Sequence, residues 1–342
     1  MNCARADRRL LLRHGMAWAT LLAAPRAAWA QSGAAPSSGA PSIMSASLRL
    51  LCSGPPGSIP DTIARRYAEA LKDRYPGGVV VDNRVGAAGQ IAVAALKQAP
   101  PDGGTLLLAQ GAVATVYPSL YARLTYDPVA DLKPVSLAAE ATLALAVGPA
   151  VPDSVATLAE LVAWLKRNPQ QATFGSPGIG TLPHLLGAAF LREAQIDAQH
   201  VAYAGGPPAM LDLMGGRLPM LVLPEGIVRQ HHATGRLRVL ATSGSARSAY
   251  MPAVASFAEQ GFPALVVREW FAFFAPGATP TAVVEAASAA VRHAAAGAAV
   301  ASAMADAGML AVAGTPGALA ERIATEQRYW QGVLRATGIR AE

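Results

Sequence analysis

Two short loops rich in glycine and proline carry the residue types and spacing that could do chemistry in this chain. Residues 53–58 (Ser-Gly-Pro-Pro-Gly-Ser) separate an apolar run at 48–52 from a helix whose apolar stripe is Ile63, Tyr67, Ala70 and Leu71. Residues 176–180 (Ser-Pro-Gly-Ile-Gly) separate a strand-like run at 172–175 from a helix over 182–192, with Thr181 as its cap and Pro183 in its first turn. Asp61 is placed to cap the first helix. In both places a strand, a tight loop and a helix start follow in order. The loop and first-turn N–H groups then lack intrahelical partners, and the positive end of the helix dipole stands behind them. Such a corner binds anions, carboxylates included, although the same order of elements also occurs as an ordinary βα turn.

Other chemistries fit less well. Ser176 lies in Gly175-Ser-Pro-Gly178, which is not the G-x-S-x-G elbow of a hydrolase, and no carboxylate sits at a triad-marking spacing. Gly178-x-Gly180 lacks the third glycine of a dinucleotide loop, and there is no P-loop lysine. His231 and His232 are adjacent on a helix, about 100° apart, so they cannot share a metal. His184 reads as a packing histidine and Trp270 as a core or hinge aromatic. Cys52, in an apolar strand, reads as a buried structural thiol.

The elements that must position the two loops come next. Residues 1–30 read as an export signal: Arg5, Arg8, Arg9 and Arg13 form a basic region, 16–24 an apolar one too short to span a bilayer, and Ala28-Trp29-Ala30 a cleavage site before Gln31. Arg8-Arg9 leaves both the general secretory and the twin-arginine route open. The whole chain has 28 basic and 22 acidic residues, +6, but five Arg and one Asp fall in residues 1–30, which leaves 23 against 21. No basic patch with interleaved aromatics remains to suggest nucleic acid. With Cys3 removed, Cys52 has no partner for an intramolecular disulfide. Residues 31–47 are rich in Ser, Ala, Pro and Gly and read as a linker; about 295 residues follow, enough for two domains.

Strands and helices alternate through that remainder. Strands are predicted at 79–81, 105–108 and 143–147, with a helix over 90–98 behind a second glycine-rich loop, 83–89. After a turn at 148–152 the pattern predicts a helix over 157–168. Further βα units follow at 200–203 with 207–214, at 219–223 with 226–233, and at 237–242. The return strand is expected at 266–274, followed by helices over 280–292 and 319–334. The last of these places Leu319, Ile323, Trp330 and Leu334 on one face, so it should dock.

This order of motifs resembles the periplasmic solute-binding receptors of tripartite tricarboxylate transporters, also called Bug-type receptors. The resemblance covers residues 48–339. It is carried by Gly-Pro-Pro-Gly-x-x-x-Asp-Thr-Ile-Ala-Arg (54–65), Asp82-Asn-Arg-x-Gly-Ala-x-Gly89, Pro101-Asp-Gly-x-Thr-Leu-Leu107, Pro118-Ser-Leu-Tyr121 and Tyr126-Asp-Pro128. Gly178-x-Gly-Thr-x-x-His184, His200-Val-x-Tyr-x-Gly205, Asp212-Leu-x-Gly-Gly216, Gly235-x-Leu-Arg238, Trp270-Phe271 and Ala275-Pro-x-x-Thr-Pro280 complete it.

The resemblance implies an α/β protein with a two-lobed type II periplasmic-binding-protein fold and a ligand cleft between the lobes. Lobe 1 is expected from 48–142 with 267–342, and lobe 2 from 143–266. It also implies capture of a small organic acid and delivery to membrane permease subunits, in the periplasm, as a monomer without cofactor, metal or catalysis. The residues expected at the ligand are Gly54, Pro56, Gly57, Ser58 and Asp61 from lobe 1, and Ser176, Gly178, Gly180, Thr181, Tyr203 and Gly205 from lobe 2. A ligand-sensing subunit of a signalling system and, less favoured, a secreted hydrolase are the alternatives. The chain departs from the family pattern at Gly54, where an aromatic is common, at Ser58, Ile179, Leu182 and Pro183, and at Pro219, where an acid is typical. These departures predict an opened first loop and a more apolar pocket.

Overall fold

The computed structural model describes residues 45–337 and 339–341; the expected export signal and most of the linker lie outside the described residues. Three parallel strands begin the fold: β1 (Leu48–Cys52), followed by helix α1 (Ile59–Ala70), β2 (Val79–Asn83), then α2 (Gln90–Lys97) and β3 (Thr105–Gln110). β1 lies between β2 and β3. Every residue of β3 is buried, which explains its unbroken apolar run, whereas β1 exposes Arg49 and ties it to Asp82 of β2.

Two single-turn helices, α3 (Ala112–Thr115) and α4 (Tyr117–Leu120), lead into β4 (Leu132–Val147), the longest strand. The second half of the molecule runs α5 (Leu158–Arg167), β5 (Thr173–Ser176), α6 (Leu182–Glu193), β6 (Gln199–Ala202), α7 (Gly206–Met214), β7 (Met220–Pro224), α8 (Glu225–Ala233) and β8 (Arg238–Thr242). The chain then returns through β9 (Arg268–Pro276), α9 (Thr281–Ala296), α10 (Ala298–Asp306), β10 (Met309–Ala311) and α11 (Pro316–Thr337).

The strand order is β2-β1-β3-β9-β4-β7-β5-β6, with β8 and β10 also paired to β4. β4 has 16 residues, roughly 50 Å of extended chain, and serves both halves. From Leu132 to Thr142 it pairs antiparallel with β9; from Leu143 to Val147 it pairs with β7. The hand-over falls between Thr142 and Leu143. The result is the two-lobed type II periplasmic-binding-protein fold, an α/β architecture whose halves share a strand.

The long first half of β4 does not show in the sequence pattern, because Lys133, Pro134 and three alanines interrupt any alternation. Pro134 is tolerated at a break in register between Pro134 and Ser136. The return strand starts at Arg268 rather than 266, because residues 263–265 form a 3₁₀ turn. The C-terminal helix docks as its stripe predicts: Leu319, Trp330 and Leu334 are buried, with Ile323 packed partly against the same core. Cys52 is fully buried, and burial pushes its thiol up to about 11.

Candidate functional site

The first loop is shaped by its own side chains. Ser58 takes the N-cap position of α1 but makes no capping bond; its Oγ donates instead to the Pro55 carbonyl at 2.6 Å. Asp61 therefore sits inside the helix, not at its cap, because the helix starts two residues earlier with Pro60 in the first turn. Its carboxylate accepts from the Gly57 amide (2.9 Å), Arg65 Nε (3.0 Å) and Asn83 Nδ2 (2.9 Å), and Asn83 also donates to the Gly54 carbonyl. Asp61 braces the loop from behind.

Burial opposes the charge on Asp61, but the bonds from Arg65, Gly57 and Asn83 outweigh it and hold the carboxyl below the usual range. A depressed pKa in the folded state gives stability that is present above the ordinary Asp pKa, near 3.9, and lost as pH falls through the folded value. Asp61→Asn is expected to lower unfolding free energy at pH 7 by about 1–3 kcal/mol. That deficit should shrink as pH drops below 4, as urea titrations at pH 7, 4 and 3 will show; a constant deficit would contradict the assignment.

The second loop is braced by histidines. Ser176 Oγ lies 2.8 Å from His200 Nε2, and the Gly180 amide donates to His184 Nδ1 at 3.1 Å. The two imidazoles stack with centroids 3.9 Å apart. Burial pushes His184 down to about 3, helped by His200, and burial pushes His200 down to about 4, so both are neutral at pH 7. A serine bonded to a histidine has the form of a nucleophile and base. Ser176 is fully buried, however, and no carboxylate orients His200 among the described residues, so the pair holds the loop. Thr181 caps α6 and ties the loop down by donating to the Gly178 carbonyl at 2.8 Å.

A third loop, 85–89, completes the rim. Ala87 and Ala88 have φ of 45° and 52°, a left-handed conformation that costs about 1–2 kcal/mol for an L-residue. Gln110 Nε2 and Tyr117 Oη both donate to the Ala88 carbonyl, at 2.6 and 2.8 Å, and hold it there.

These loops enclose a cavity of about 500 Å³. Of the expected ligand residues, Gly54, Ser58, Gly178, Thr181, Tyr203 and Gly205 line it. Five do not. Pro56 and Gly57 stand exposed at the outer tip of the first loop; Asp61 and Ser176 are buried behind the loops they brace; Gly180 packs against Tyr117 and Leu120. Tyr203 contributes its ring, since its hydroxyl is committed to Asp212 at 2.9 Å. Contact across the cleft is direct: Tyr121 Oη donates to the Ile179 carbonyl at 3.1 Å, and a Cβ on Gly205 would lie 2.7 Å from Pro55 Cγ.

Several lining residues escaped the sequence reading. The 85–89 loop had a signal, its glycines ahead of a helix, but no role. Gln110 and Glu269 are polar residues within apolar strands, which is the signal that could have marked them. Arg123, exposed, and Glu269, buried, are the charged residues among those lining the cleft.

The departures at Gly54 and Ser58 prove to be linked. A Cβ at 54 would lie 2.4 Å from Ser58 Oγ and 2.7 Å from Pro60 Cγ, so the loop is tightened over Gly54 rather than opened. Leu182 faces a separate small void beside Trp270, and Pro183 and Pro219 are buried away from the cleft. Of these departures Ile179 does line the cleft, and it shares the apolar character with Pro55, Ile59, Val85, Ile227 and Phe271.

Residues 63–339 match the profile described as tripartite tricarboxylate transporter family receptor. The chain belongs to that family. Protein BugT of Bordetella pertussis is 33% identical over 292 residues, 85% of this chain and 89% of BugT. A solved structure of a periplasmic transporter is 30% identical with a TM-score of 0.81, covering 86% of this chain and 98% of its own. An R. palustris protein solved with adipate is 25% identical, also with a TM-score of 0.81, covering 85% of this chain and 97% of its own. Tripartite tricarboxylate receptors of the Bug type are periplasmic binding proteins. Among the described residues no helix is long and apolar enough to cross a membrane.

Proposed function

We infer that this receptor captures a small organic carboxylate in the cleft and delivers it to the membrane permease subunits of a tripartite transporter. Residues 48–142 with 267–342 form one moving body and 143–266 the other. The protein acts as a monomer without cofactor in the periplasm, after removal of residues 1–30. One observation carries the reading: Gly54, Gly86, Ile179 and Ala204 line the cleft, and their N–H groups find no acceptor among the described residues. Preorganised main-chain donors of this kind suit a carboxylate, each charge-assisted bond contributing roughly 1.5–3 kcal/mol before desolvation. Adipate in the R. palustris relative is consistent with that chemistry.

The apolar walls favour a ligand with a hydrocarbon body. A buried methylene contributes about 0.8 kcal/mol, whereas a hydroxyl left unpaired costs roughly 1–3 kcal/mol. Calorimetry over aliphatic, aromatic and hydroxylated acids, with NMR of the recovered ligand, is expected to show binding without conversion and weaker binding of citrate and malate than of adipate-like acids. A converted product would move the protein to the enzyme class. Tighter binding of citrate or malate than of every other acid would overturn the ligand body. A sensor subunit would bind equally well, and is separated by its genomic neighbours: a sensor kinase in place of two membrane subunits.

A further inference from the structure

Glu269 has no role in the reading above. It lies on β9 at the strand crossing, 6% exposed, and it lines the cleft beside Phe271. Among the described residues its carboxyl makes no hydrogen bond or ion pair. Other buried or half-buried acids here are at least partly engaged: Asp61 by Arg65 and Asn83, Glu140 by Arg322, and Glu225 at one oxygen by Ser248, its other oxygen having no partner. The groups packed around Glu269 offer it no cation. Tyr117 on α4 gives its hydroxyl to Ala88; Gln110 on β3 gives its amide to the same carbonyl. Glu326 on α11 shares a small void with Glu269 but is held by Trp270 and Arg322. Arg123 lines the same cleft, but on its exposed side.

A carboxyl this deep in the cleft, with no protein donor, is costly to ionise unless something else supplies the partner. Burial pushes it up to about 8, so it holds its proton at neutral pH in the empty cleft. The cleft already has main-chain donors for an anion, and a second anionic end would keep Glu269 from ever ionising. A ligand with a positive end reverses the balance.

We propose that Glu269 is the specificity-determining residue of the cleft and that its ligand is an amino carboxylate, with a protonated nitrogen set against the Glu269 carboxyl and a carboxylate set against the loop amides. The proposal rests on the carboxylate reading and narrows it. On binding, Glu269 gives up its proton to solvent and pairs with the ammonium group, so that charge is matched inside the closed cleft.

The test uses matched acids that differ by one amino group: 6-aminohexanoate against hexanoate, 4-aminobutanoate against butanoate, and leucine against 4-methylpentanoate. Calorimetry at pH 7.5 is expected to show at least one amino member binding about tenfold or more tighter than its partner. Titrations in buffers of different ionisation enthalpy should show proton release. Glu269→Gln should abolish the preference between the matched acids. The melting temperature of Glu269→Gln should not fall, since only a buried ionisable group is removed. A preference that is absent in the wild type, or that survives in Glu269→Gln, overturns the proposal while binding of the des-amino acids leaves the carboxylate reading standing. Failure of every acid in both series to bind overturns the two together.

Discussion

Gly205→Ala is expected to weaken binding of any acid the cleft accepts by about tenfold or more, without preventing folding. Two costs act at this position. Gly205 has φ of 105° and ψ of 178°, a region essentially restricted to glycine, so an alanine there is strained by about 1–3 kcal/mol whether or not the lobes are closed. Its Cβ would also come within 2.7 Å of Pro55 Cγ and 2.9 Å of Pro55 Cδ. Proline's ring cannot turn aside, so the second cost falls on the closed form alone. A ligand that binds the closed form loses affinity in proportion to the fraction of protein able to close. Gly235→Ala carries backbone strain without the second cost: Gly235 has φ of 72° and nothing within 4 Å of its added Cβ. Both variants should lose melting temperature, while only Gly205→Ala loses affinity in calorimetry. Equal affinities would mean that the cleft does not shut through this contact.

The contact between Gly205 and Pro55 also shows what could be read in advance and what could not. Both residues lie in loops that announce themselves by glycine, proline and a following helix; the helix at 182–193 begins where Thr181 says it should, and the one expected from 157 starts at Leu158 with Thr157 as its cap. Local signals of that kind are short in range. Asp61 stands inside its helix rather than at the cap, and Ser176 and Gly180 lie behind the cleft lining, because the backbone order shows which loop faces the cleft but not which atoms in it are spent on bracing. Asn83 reaching 29 residues back to Gly54, and His200 meeting Ser176 24 residues away, are tertiary facts. The long β4 was half invisible for a related reason: its alanines and Lys133 acquire their places only from β9 beside it. Glu269 was hidden differently. An acid before Trp270 in an apolar run is a plain anomaly in sequence, but only the cleft reveals that no protein group answers it.

Trp270, the residue beside Glu269, is where loss of stability should be greatest. Trp270 is 3% exposed, and its ring lies against Gly111, where a Cβ would come within 2.2 Å of it. The indole Nε1 donates to both oxygens of Glu326, at 2.9 and 2.8 Å, and Arg322 stands over the ring at 5.1 Å. One side chain thus ties a crossing strand to the C-terminal helix by packing, a charge-assisted bond and a cation–π contact. Trp270→Ala is expected to cost about 3–5 kcal/mol in urea unfolding, from lost burial and the cavity left behind. Trp270→Phe keeps much of the volume and removes the N–H, and should cost about 1–3 kcal/mol, the range for a hydrogen bond to a charged group and for the acceptor left without it. The order of the two variants separates packing from hydrogen bonding. If Trp270→Ala costs under about 1 kcal/mol, α11 is held by Leu319, Trp330 and Leu334 alone, and the strand crossing does not depend on the helix that covers it.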